Sequence, residues 1–355
     1  MKIALITDQH FGCRADNVSF LDYYEEFYSR IFFPELEKRK IKTVIDLGDT
    51  FDRRKYVNYN TLKRTKEMWF DVLRNSGIEL HSIVGNHTTF YKNTNDVNSL
   101  DLLVSEYDNV YNYPEPKTIN FSGHDILIMP WINNENYPRA IKEMEDSPAQ
   151  VMFGHLEIAG ALMDRGNINE HGMAPKMFDR FDLVCSGHFH HKSRIKNIEY
   201  LGCPYELTWI DYQDPKGFHI YDTETRELEF VRNPYSMFHK VFYSDDGKTL
   251  EELLEFDFSV YEKTYVKVIR QNCDNPYWFD VFMDNLYKSN PIHIQIVDDN
   301  LNLNLESEDD IMDGAEDTVS IMSKYITTMP ESVPKKELDT LMRSLYNEAI
   351  AIGLN

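Results

Sequence analysis

Five short apolar runs in the first 190 residues each end in a residue that can bind a metal ion. The first three, at 2–8, 42–49 and 80–86, are separated by stretches in which apolar residues recur at helical spacing. Strands that alternate with helices predict βαβ units and a largely parallel α/β sheet. Two later runs, at 149–155 and 181–188, end in Gly-His. Because ligands bind outside the carboxyl ends of such strands, we expect all five ends to face one site.

The strand ends carry an ordered series of short motifs: Asp-x-His, Gly-Asp-x-x-Asp, Gly-Asn-His, Gly-His and Gly-His-x-His. Each is weak alone, since Gly-Asp after a strand is usually a turn. Their joint occurrence after apolar strands favours a shared site. Carboxylate, imidazole and amide donors suit divalent ions such as Mn²⁺ or Fe²⁺. Two such ions about 3.5–4 Å apart can hold a phosphate ester and activate water, and Asp49 is the natural bridging carboxylate.

The charge of the chain limits how it can bind a polyanion. The net charge is −22, and residues 241–355 contribute −14 of it. A general positive field for nucleic acid is therefore excluded, so such a substrate would need a local basic patch, metal ions or a partner protein. No apolar run reaches the ~18–20 residues needed to cross a bilayer, and no signal-peptide pattern is present. We expect no membrane association and a cytoplasmic protein with reduced cysteines.

The pattern of elements predicts four regions. Residues 1–236 are expected to form the main domain, and residues 237–297 a small α+β domain. Residues 298–317 contain nine acids and no base, which predicts a solvated linker. Residues 318–355 are expected to form C-terminal helices with apolar stripes.

The motif series resembles the calcineurin-like metallophosphoesterase superfamily, which implies an α/β/β/α sandwich. The segments GDTFDRRKY, LIMPWINNE and YLGCPYELTWIDYQDPKGFHIYDTE resemble the SbcD-type nuclease subunits, including bacteriophage relatives. The resemblance covers about residues 1–235 by motif and the remainder as architecture only. It implies a nuclease subunit for DNA recombination, repair and replication, with Mn²⁺-dependent exonuclease activity on duplex ends and endonuclease activity. A phage-encoded chain would act in the host cytoplasm.

The resemblance also implies roles for individual residues, carried over by motif. Two divalent ions, Mn²⁺ or alternatively Mg²⁺, would be held in two sets that share one carboxylate: Asp8, His10, Asp49 and His190 for one ion, and Asp49, Asn86, His155 and His188 for the other. His87 would lie beside the scissile phosphate and act on the leaving oxygen, a role that suits an imidazole near neutral pH. Asp52 would support this group, and His191 is expected to face solvent.

The chain departs from the family pattern at Thr88. The family usually continues Gly-Asn-His with Asp, whose carboxylate can orient the histidine. Thr88 lacks that charge, although we expect activity to be retained because every implied ligand is present. Replacing Thr88 with Asp is expected to raise activity or leave it unchanged.

The resemblance further implies partners. These are DNA, as duplex ends, hairpins or single strands, and an SbcC-type coiled-coil ATPase bound by helices within 318–355. The chain would form a homodimer within a heterotetramer, and residues 237–297 would cap the DNA. One alternative is a phosphatase or small-molecule phosphodiesterase, although protein phosphatases have Gly-Asp-x-x-Asp-Arg-Gly and Gly-Asn-His-Glu where this chain has GDTFDRR and GNHT. The other is a scaffold that anchors the ATPase without cutting DNA, which the intact ligand set disfavours.

Overall fold

A computed structural model of the chain describes residues 1–298, with Ile326, Pro334, Lys335, Leu338, Leu341 and Met342. The predicted linker beyond residue 298 and most of the predicted C-terminal helices lie outside these residues. The chain divides into two compact units, residues 1–207 with 211–237, and residues 208–210 with the chain from 238 onward. Within the described residues, no helix combines the length and apolar character that a membrane span requires.

The first unit contains twelve strands. In chain order they are β1 (Lys2–Ile6), β2 (Thr43–Asp46), β3 (Glu79–Ile83), β4 (Val110–Tyr113), β5 (Lys117–Phe121), β6 (His124–Met129), β7 (Val151–His155), β8 (Leu183–Gly187), β9 (Ser193–Ile195), β10 (Ile198–Tyr200), β11 (Gly217–Asp222) and β12 (Leu228–Arg232).

These strands make two six-stranded sheets. The first has the order β12-β11-β1-β2-β3-β4, in which β1 to β4 are parallel and β11 runs antiparallel to β1. The second has the order β5-β6-β7-β8-β10-β9, in which β6, β7, β8 and β10 are parallel. The parallel strands confirm the βαβ pattern read from the sequence.

Helical segments connect the strands. They are Cys13–Asp16, Val18–Phe27, Phe33–Arg39, Tyr59–Thr65, Asp71–Asn75, Ser99–Leu103 and Tyr137–Asp146, with π-helical turns at Tyr28–Phe32 and Lys66–Phe70 and 3-10 turns at Pro175–Phe178 and Trp209–Asp211. The long helix that begins at Val18 is capped by Asn17, whose side chain accepts a hydrogen bond from the Ser19 amide at 2.9 Å. The π-helical turn lets this helix continue directly to Arg39.

The inner faces of the two sheets share one apolar core. Ile3, Leu5 and Ile45 of the first sheet belong to the same buried cluster as Ile128 and Phe153 of the second. The helix Tyr137–Asp146 covers the outer face of the second sheet with Ala140 and Met144. The helix that begins at Val18 covers the outer face of the first, where the rings of Phe32 and Phe218 lie 4.7 Å apart. The predicted α/β/β/α sandwich is therefore confirmed.

The second unit contains three parallel strands, β13 (Phe238–Ser244), β14 (Tyr265–Asn272) and β15 (His293–Asp298). The helix Pro276–Lys288 packs its apolar face on this sheet, and a short helix spans Leu250–Leu254. The run FSVYEKTYVKVIR, residues 258–270, predicts one continuous strand, and this prediction is wrong at its start. Phe258–Tyr261 is a 3-10 turn, because the Asp257 side chain accepts a hydrogen bond from the Ser259 amide at 3.1 Å.

Candidate metal centre

The sandwich brings the five predicted strand ends together at one edge. The first sheet places Asp8, Asp49 and Asn86 just beyond the carboxyl ends of β1, β2 and β3. The second sheet places His155 at the end of β7 and His188 just after β8. Segments far apart in the sequence therefore meet, as expected for ligands at the carboxyl ends of parallel strands.

One cluster of possible metal ligands consists of Asp8, His10 and His190, whose donor atoms lie within 4.8 Å of one another. The Nε2 atoms of His10 and His190 are 3.1 Å apart, and Asp8 Oδ1 is 3.9 Å from His10 Nε2. Asp8 is fully buried, and its Oδ2 accepts hydrogen bonds from the Thr7 hydroxyl at 2.7 Å and the His188 amide at 3.0 Å. These bonds hold the carboxylate in place without a basic side chain.

A second cluster consists of Asp8, Asp49 and His155, again within 4.8 Å. His155 Nε2 lies 3.2 Å from Asp49 Oδ2 and 2.9 Å from Asn86 Oδ1. His188 Nδ1 lies 3.0 Å from the same Asn86 oxygen. Asp8 therefore belongs to both clusters, and the Asn86 oxygen lies close to two histidines, His155 and His188.

The donor set fits a cation. The Nδ1 of His155 donates to the Leu47 carbonyl oxygen at 2.8 Å, so the Nε2 of the neutral ring carries a lone pair. That lone pair faces the Asp49 and Asn86 oxygens, which also have only lone pairs to offer when Asp49 is ionised. Three such atoms come this close only with a positive charge among them, from a proton or a metal ion. Carboxylate, imidazole and amide oxygen are ligands that divalent ions accept.

The pKa shifts of Asp49 and His155 also indicate that this pair favours a positive charge between its atoms. Burial alone would raise the pKa of Asp49, but His155 and His87 hold it well below its usual value. Burial alone would lower the pKa of His155, but Asp49 raises it to about 9. Asp49 is therefore ionised, and it favours a cation at the position that His155 Nε2 faces.

Two other histidines are kept neutral. Burial and the neighbouring His155 lower the pKa of His188 to about 3. Burial and His10 lower the pKa of His190 to about 4. Metal ions bind the neutral imidazole, so both rings are in the form that a ligand requires near neutral pH.

His87 lies at the rim of the centre and is only partly buried. Its backbone amide donates to Asp49 Oδ1 at 2.7 Å, and its Nδ1 donates to the Asp52 carbonyl oxygen at 2.6 Å. The Asp52 carboxylate lies 3.3 Å from His10 Nδ1. Asp52 therefore contacts two histidines of the site, one through its backbone and one through its side chain.

Four of the candidate residues have left-handed backbone conformations. The φ angles are 51° at Asp8, 46° at His10, 55° at Asp49 and 93° at His188. Such conformations are uncommon for residues with a side chain and concentrate at functional sites. The orientation of these four side chains toward the centre therefore requires strained backbone conformations.

The glycines of the motifs allow the close approach of the strand ends. A Cβ atom on Gly85 would lie 2.2 Å from Asp49 Oδ1, and one on Gly187 would lie 2.0 Å from the Thr7 hydroxyl. Both distances are far below van der Waals contact. The glycine before Asn86 and the glycine before His188 are therefore required by packing around Asp49 and Asp8.

Thr88 does not contact the His87 imidazole through any hydrogen bond. Its buried hydroxyl donates to the Gly85 carbonyl oxygen and accepts from the Gly85 amide, both at 2.9 Å. The Thr88 side chain thus closes the turn that carries Asn86 and His87. An Asp at this position could accept the Gly85 amide proton but has no proton for the Gly85 carbonyl oxygen when ionised.

We expect Thr88→Val to lower the free energy of unfolding by about 1–3 kcal/mol, because the buried Gly85 amide loses its partner. Activity should fall as well, since the turn positions Asn86 and His87. Thr88→Ser keeps the hydroxyl and is the matched control. Urea denaturation and a cleavage assay measure both effects, and equal behaviour of the Val and Ser variants would show that the hydroxyl is unimportant.

Sequence reasoning missed a buried ionic group beneath His190. Lys216 Nζ lies 2.6 Å from Asp211 Oδ1, 2.8 Å from Asp214 Oδ2 and 2.8 Å from the His190 carbonyl oxygen. The expectation that His191 faces solvent was wrong, because its Nδ1 lies 2.9 Å from Asp214 Oδ1 and the ring is partly buried. The sequence signal was only "DPKGF", an isolated lysine next to an apolar strand.

Comparison with known proteins shows the family of the chain. Residues 1–192 match the calcineurin-like phosphoesterase family. Exonuclease subunit 1 of Enterobacteria phage T4 is 31% identical over 351 residues, which span 98% of this chain and 99% of that protein. A solved archaeal phosphodiesterase aligns with 66% of this chain and 100% of its own, at 14% identity and a TM-score of 0.32. The chain therefore belongs to the calcineurin-like phosphoesterase family and is a metal-dependent hydrolase of phosphodiester bonds.

Proposed function

We propose that this chain is the nuclease subunit of a DNA recombination and repair complex. It hydrolyses phosphodiester bonds of DNA with Mn²⁺, as an exonuclease on duplex ends and as an endonuclease. The observation that carries the proposal is the convergence of imidazole, carboxylate and amide donors from five strand ends. The 31% identity to a phage exonuclease subunit, over almost the whole of both chains, supports DNA as the substrate.

In this proposal Asp8, His10, Asp49 and His190 hold one ion, and Asp49, Asn86, His155 and His188 hold the other. Two bound ions would supply positive charge for the phosphate oxygens and acidify the attacking water.

His87 then acts on the leaving oxygen. Its Nδ1–H is engaged by the Asp52 carbonyl oxygen, so the ring is held with Nε2 directed away from that bond. In the imidazolium form, Nε2 carries the second proton and can donate it to the departing oxygen. The partial exposure of His87 leaves this atom accessible to substrate.

The proposal is tested by incubating linear duplex DNA with the full chain in Mn²⁺, in Mg²⁺ and in chelator, with and without the coiled-coil ATPase. We expect cleavage in Mn²⁺ that chelator prevents and that His87→Ala abolishes. His124→Ala, at a partly buried histidine that begins β6 and so lies away from the carboxyl ends of the strands, is the matched control and should retain full activity. Absence of metal-dependent cleavage by the wild type in every arm would contradict the nuclease function and leave the scaffold alternative and the phosphatase or small-molecule phosphodiesterase alternative.

A basic run after Asp52 supports contact with the DNA backbone. The residues are Arg53, Arg54 and Lys55, in a chain of net charge −22. Arg53 is paired with Asp16 at 3.2 Å. The Arg54 Nη1 is buried and has no hydrogen-bond partner in the part of the chain that the structure describes. A guanidinium nitrogen that is buried without a hydrogen-bond acceptor can receive one from a bound ligand. A phosphate oxygen is a suitable acceptor for it.

Replacing Arg54 with Gln is therefore expected to weaken DNA binding about tenfold or more at low salt. It should also reduce the slope of log affinity against log salt by about one, as for loss of one phosphate contact. Lys2→Gln removes the same charge from the opposite end of β1 and serves as the control. Fluorescence anisotropy with a labelled duplex at several salt concentrations measures both quantities. Equal slopes for the two variants would rule out the contact.

We further propose that an SbcC-type coiled-coil ATPase binds residues 318–355 of this chain. The complex would contain two copies of each of the two chains. The match to a phage exonuclease subunit along its whole length supports a multisubunit assembly. Apolar stripes on the predicted helices suit a helix-in-groove contact.

Deleting residues 318–355 is expected to abolish co-purification with the ATPase, while metal-dependent cleavage of short DNA by the truncated chain persists. Persistence of that cleavage controls for folding. If the truncated chain is still recovered with the ATPase in equal amount, the proposed binding segment is wrong.

A further inference from the structure

A cavity of about 380 Å³ lies beside the metal centre and is not used by the proposed chemistry. This volume lies within the ~300–1,000 Å³ range of small-molecule sites. The residues that matter for its chemistry come from two segments of the chain, 131–137 and 156–177, and they are Trp131, Asn134, Tyr137, Glu157, Met173 and Met177.

The cavity adjoins two of the candidate metal ligands. The Trp131 ring lies 5.1 Å from the His188 ring and 6.1 Å from the His155 ring, measured between centroids. Leu156, which also lines the cavity, directly follows His155 at the end of β7. A base bound in the cavity could therefore belong to the nucleotide whose phosphate is bound at the metal centre.

The lining of the cavity excludes phosphate as its ligand. No residue that lines it is basic, and Glu157 contributes a negative charge. Its walls are instead aromatic and thioether side chains, and aromatic side chains stack on bases regardless of sequence. Methionine side chains adapt to ligands of different shape.

Two polar side chains at the cavity are open to a ligand. Asn134 is exposed, and Glu157 is partly buried. The position of the Glu157 backbone is fixed, since the Met173 amide donates to its carbonyl oxygen at 2.9 Å. An ionised carboxylate accepts hydrogen bonds and donates none, so a ligand that binds to Glu157 must present N–H or O–H groups to it.

We propose that this cavity binds one unstacked nucleobase next to the scissile phosphate, and that Glu157 selects bases with amino groups. The inference rests on the proposed DNA nuclease function. Guanine presents two adjacent N–H groups to a carboxylate and should rank first. Thymine has a single N–H flanked by two carbonyl oxygens, which the carboxylate repels, and should rank last. Recognition of unstacked bases by stacking and edge hydrogen bonds is common for single-stranded nucleic acid.

The experiment uses oligonucleotides with one cleavable phosphodiester, all other linkages being phosphorothioates. The base on each side of that bond is varied in turn through guanine, thymine and an abasic site. For one of the two positions, wild type in Mn²⁺ should cut the guanine substrate at least fivefold faster than the thymine substrate. Glu157→Gln should bring this ratio within about twofold, because the amide can donate to thymine carbonyl oxygens, while cutting of the abasic substrate is unchanged.

Tyr137→Leu should slow cutting of the base-containing substrates and spare the abasic one. Glu145→Gln, an exposed acid on the helix Tyr137–Asp146, is the control and should behave as wild type. A guanine-to-thymine ratio that is the same in wild type and Glu157→Gln overturns the proposal, whereas cleavage of no substrate overturns the nuclease function instead.

A binding measurement tests the cavity without any cleavage. 6-Thioguanine at the selective position, or at both flanking positions in turn, is photocrosslinked to the full chain in Ca²⁺ and the attachment site is mapped. Crosslinks to Trp131, Tyr137, Met173 or Met177 support the proposal. Crosslinks confined to other residues, or no crosslink at either position, refute it.

Discussion

Asp49→Asn is expected to reduce metal-dependent cleavage of DNA by at least about 10³-fold, equivalent to about 4 kcal/mol of transition-state stabilisation. Both carboxylate oxygens are in use, since Oδ1 accepts the His87 amide proton at 2.7 Å and Oδ2 lies 3.2 Å from His155 Nε2. An amide group can reproduce only one of these contacts as an acceptor. It also removes the negative charge that favours a cation between the two clusters, so metal binding should weaken in parallel.

Metal binding by Asp49→Asn is measured by the rise in melting temperature on addition of Mn²⁺, because a ligand stabilises the state to which it binds. The wild type should show a clear rise and the variant a much smaller one. Without metal, the variant should unfold below the temperature of the wild type, since His155 and His87 stabilise the ionised Asp49 carboxylate in the folded chain. Asp146→Asn, at an exposed helix position, is the control. A variant that keeps a tenth of the activity with the same Mn²⁺ dependence would contradict the bridging role.

Lys216→Met is expected to lower the free energy of unfolding by about 3–5 kcal/mol, the usual cost of leaving buried charges without their partner. Lys216, Asp211 and Asp214 are each less than a tenth exposed. Burial alone would lower the pKa of Lys216, but Asp211 and Asp214 raise it well above its usual value, so the ammonium is charged. Methionine matches the length of the lysine stem and removes only the charge and its hydrogen bonds.

The variant Lys196→Met provides the comparison for Lys216. Lys196 pairs with Asp179 at 3.0 Å, but both side chains are about half exposed, and such pairs contribute about 0–1 kcal/mol. Adding Asp211→Asn and Asp214→Asn to Lys216→Met should recover part of the loss, because the orphaned charges disappear. Urea denaturation measures all four proteins. A loss below about 1 kcal/mol for Lys216→Met would show that the two carboxylates are compensated in another way.

The same substitution is expected to affect the metal centre, since Lys216 also donates to the His190 carbonyl oxygen at 2.8 Å. This contact acts on the backbone of a candidate ligand and makes Lys216 a positioning residue. It has no counterpart in the motif series, because the interaction depends on a carbonyl oxygen that any residue possesses. Only the meeting of β11 with the loop after β8 reveals it.

Part of the site could be predicted from the sequence, because residue type and hydrophobic periodicity are properties of short segments of the chain. Apolar runs of strand length predict buried strands, and a parallel sheet places all their carboxyl ends at one edge. Asp8, Asp49, Asn86, His155 and His188 follow from that reasoning alone. The role of Thr88 did not follow, since its side chain could serve either the imidazole or the backbone, and only the turn geometry selects the Gly85 amide.

The sequence by itself determined the α/β class, the strand ends that carry ligand-type residues and the acidity that leaves few basic groups for DNA. The tertiary structure alone decided that two ligand clusters share Asp8, that Lys216 is buried against two carboxylates, and that a cavity opens beside Trp131. The physical reason is that strand formation depends on neighbours in the chain. The charge state, partner and accessibility of a buried polar group depend instead on segments that lie far apart in sequence.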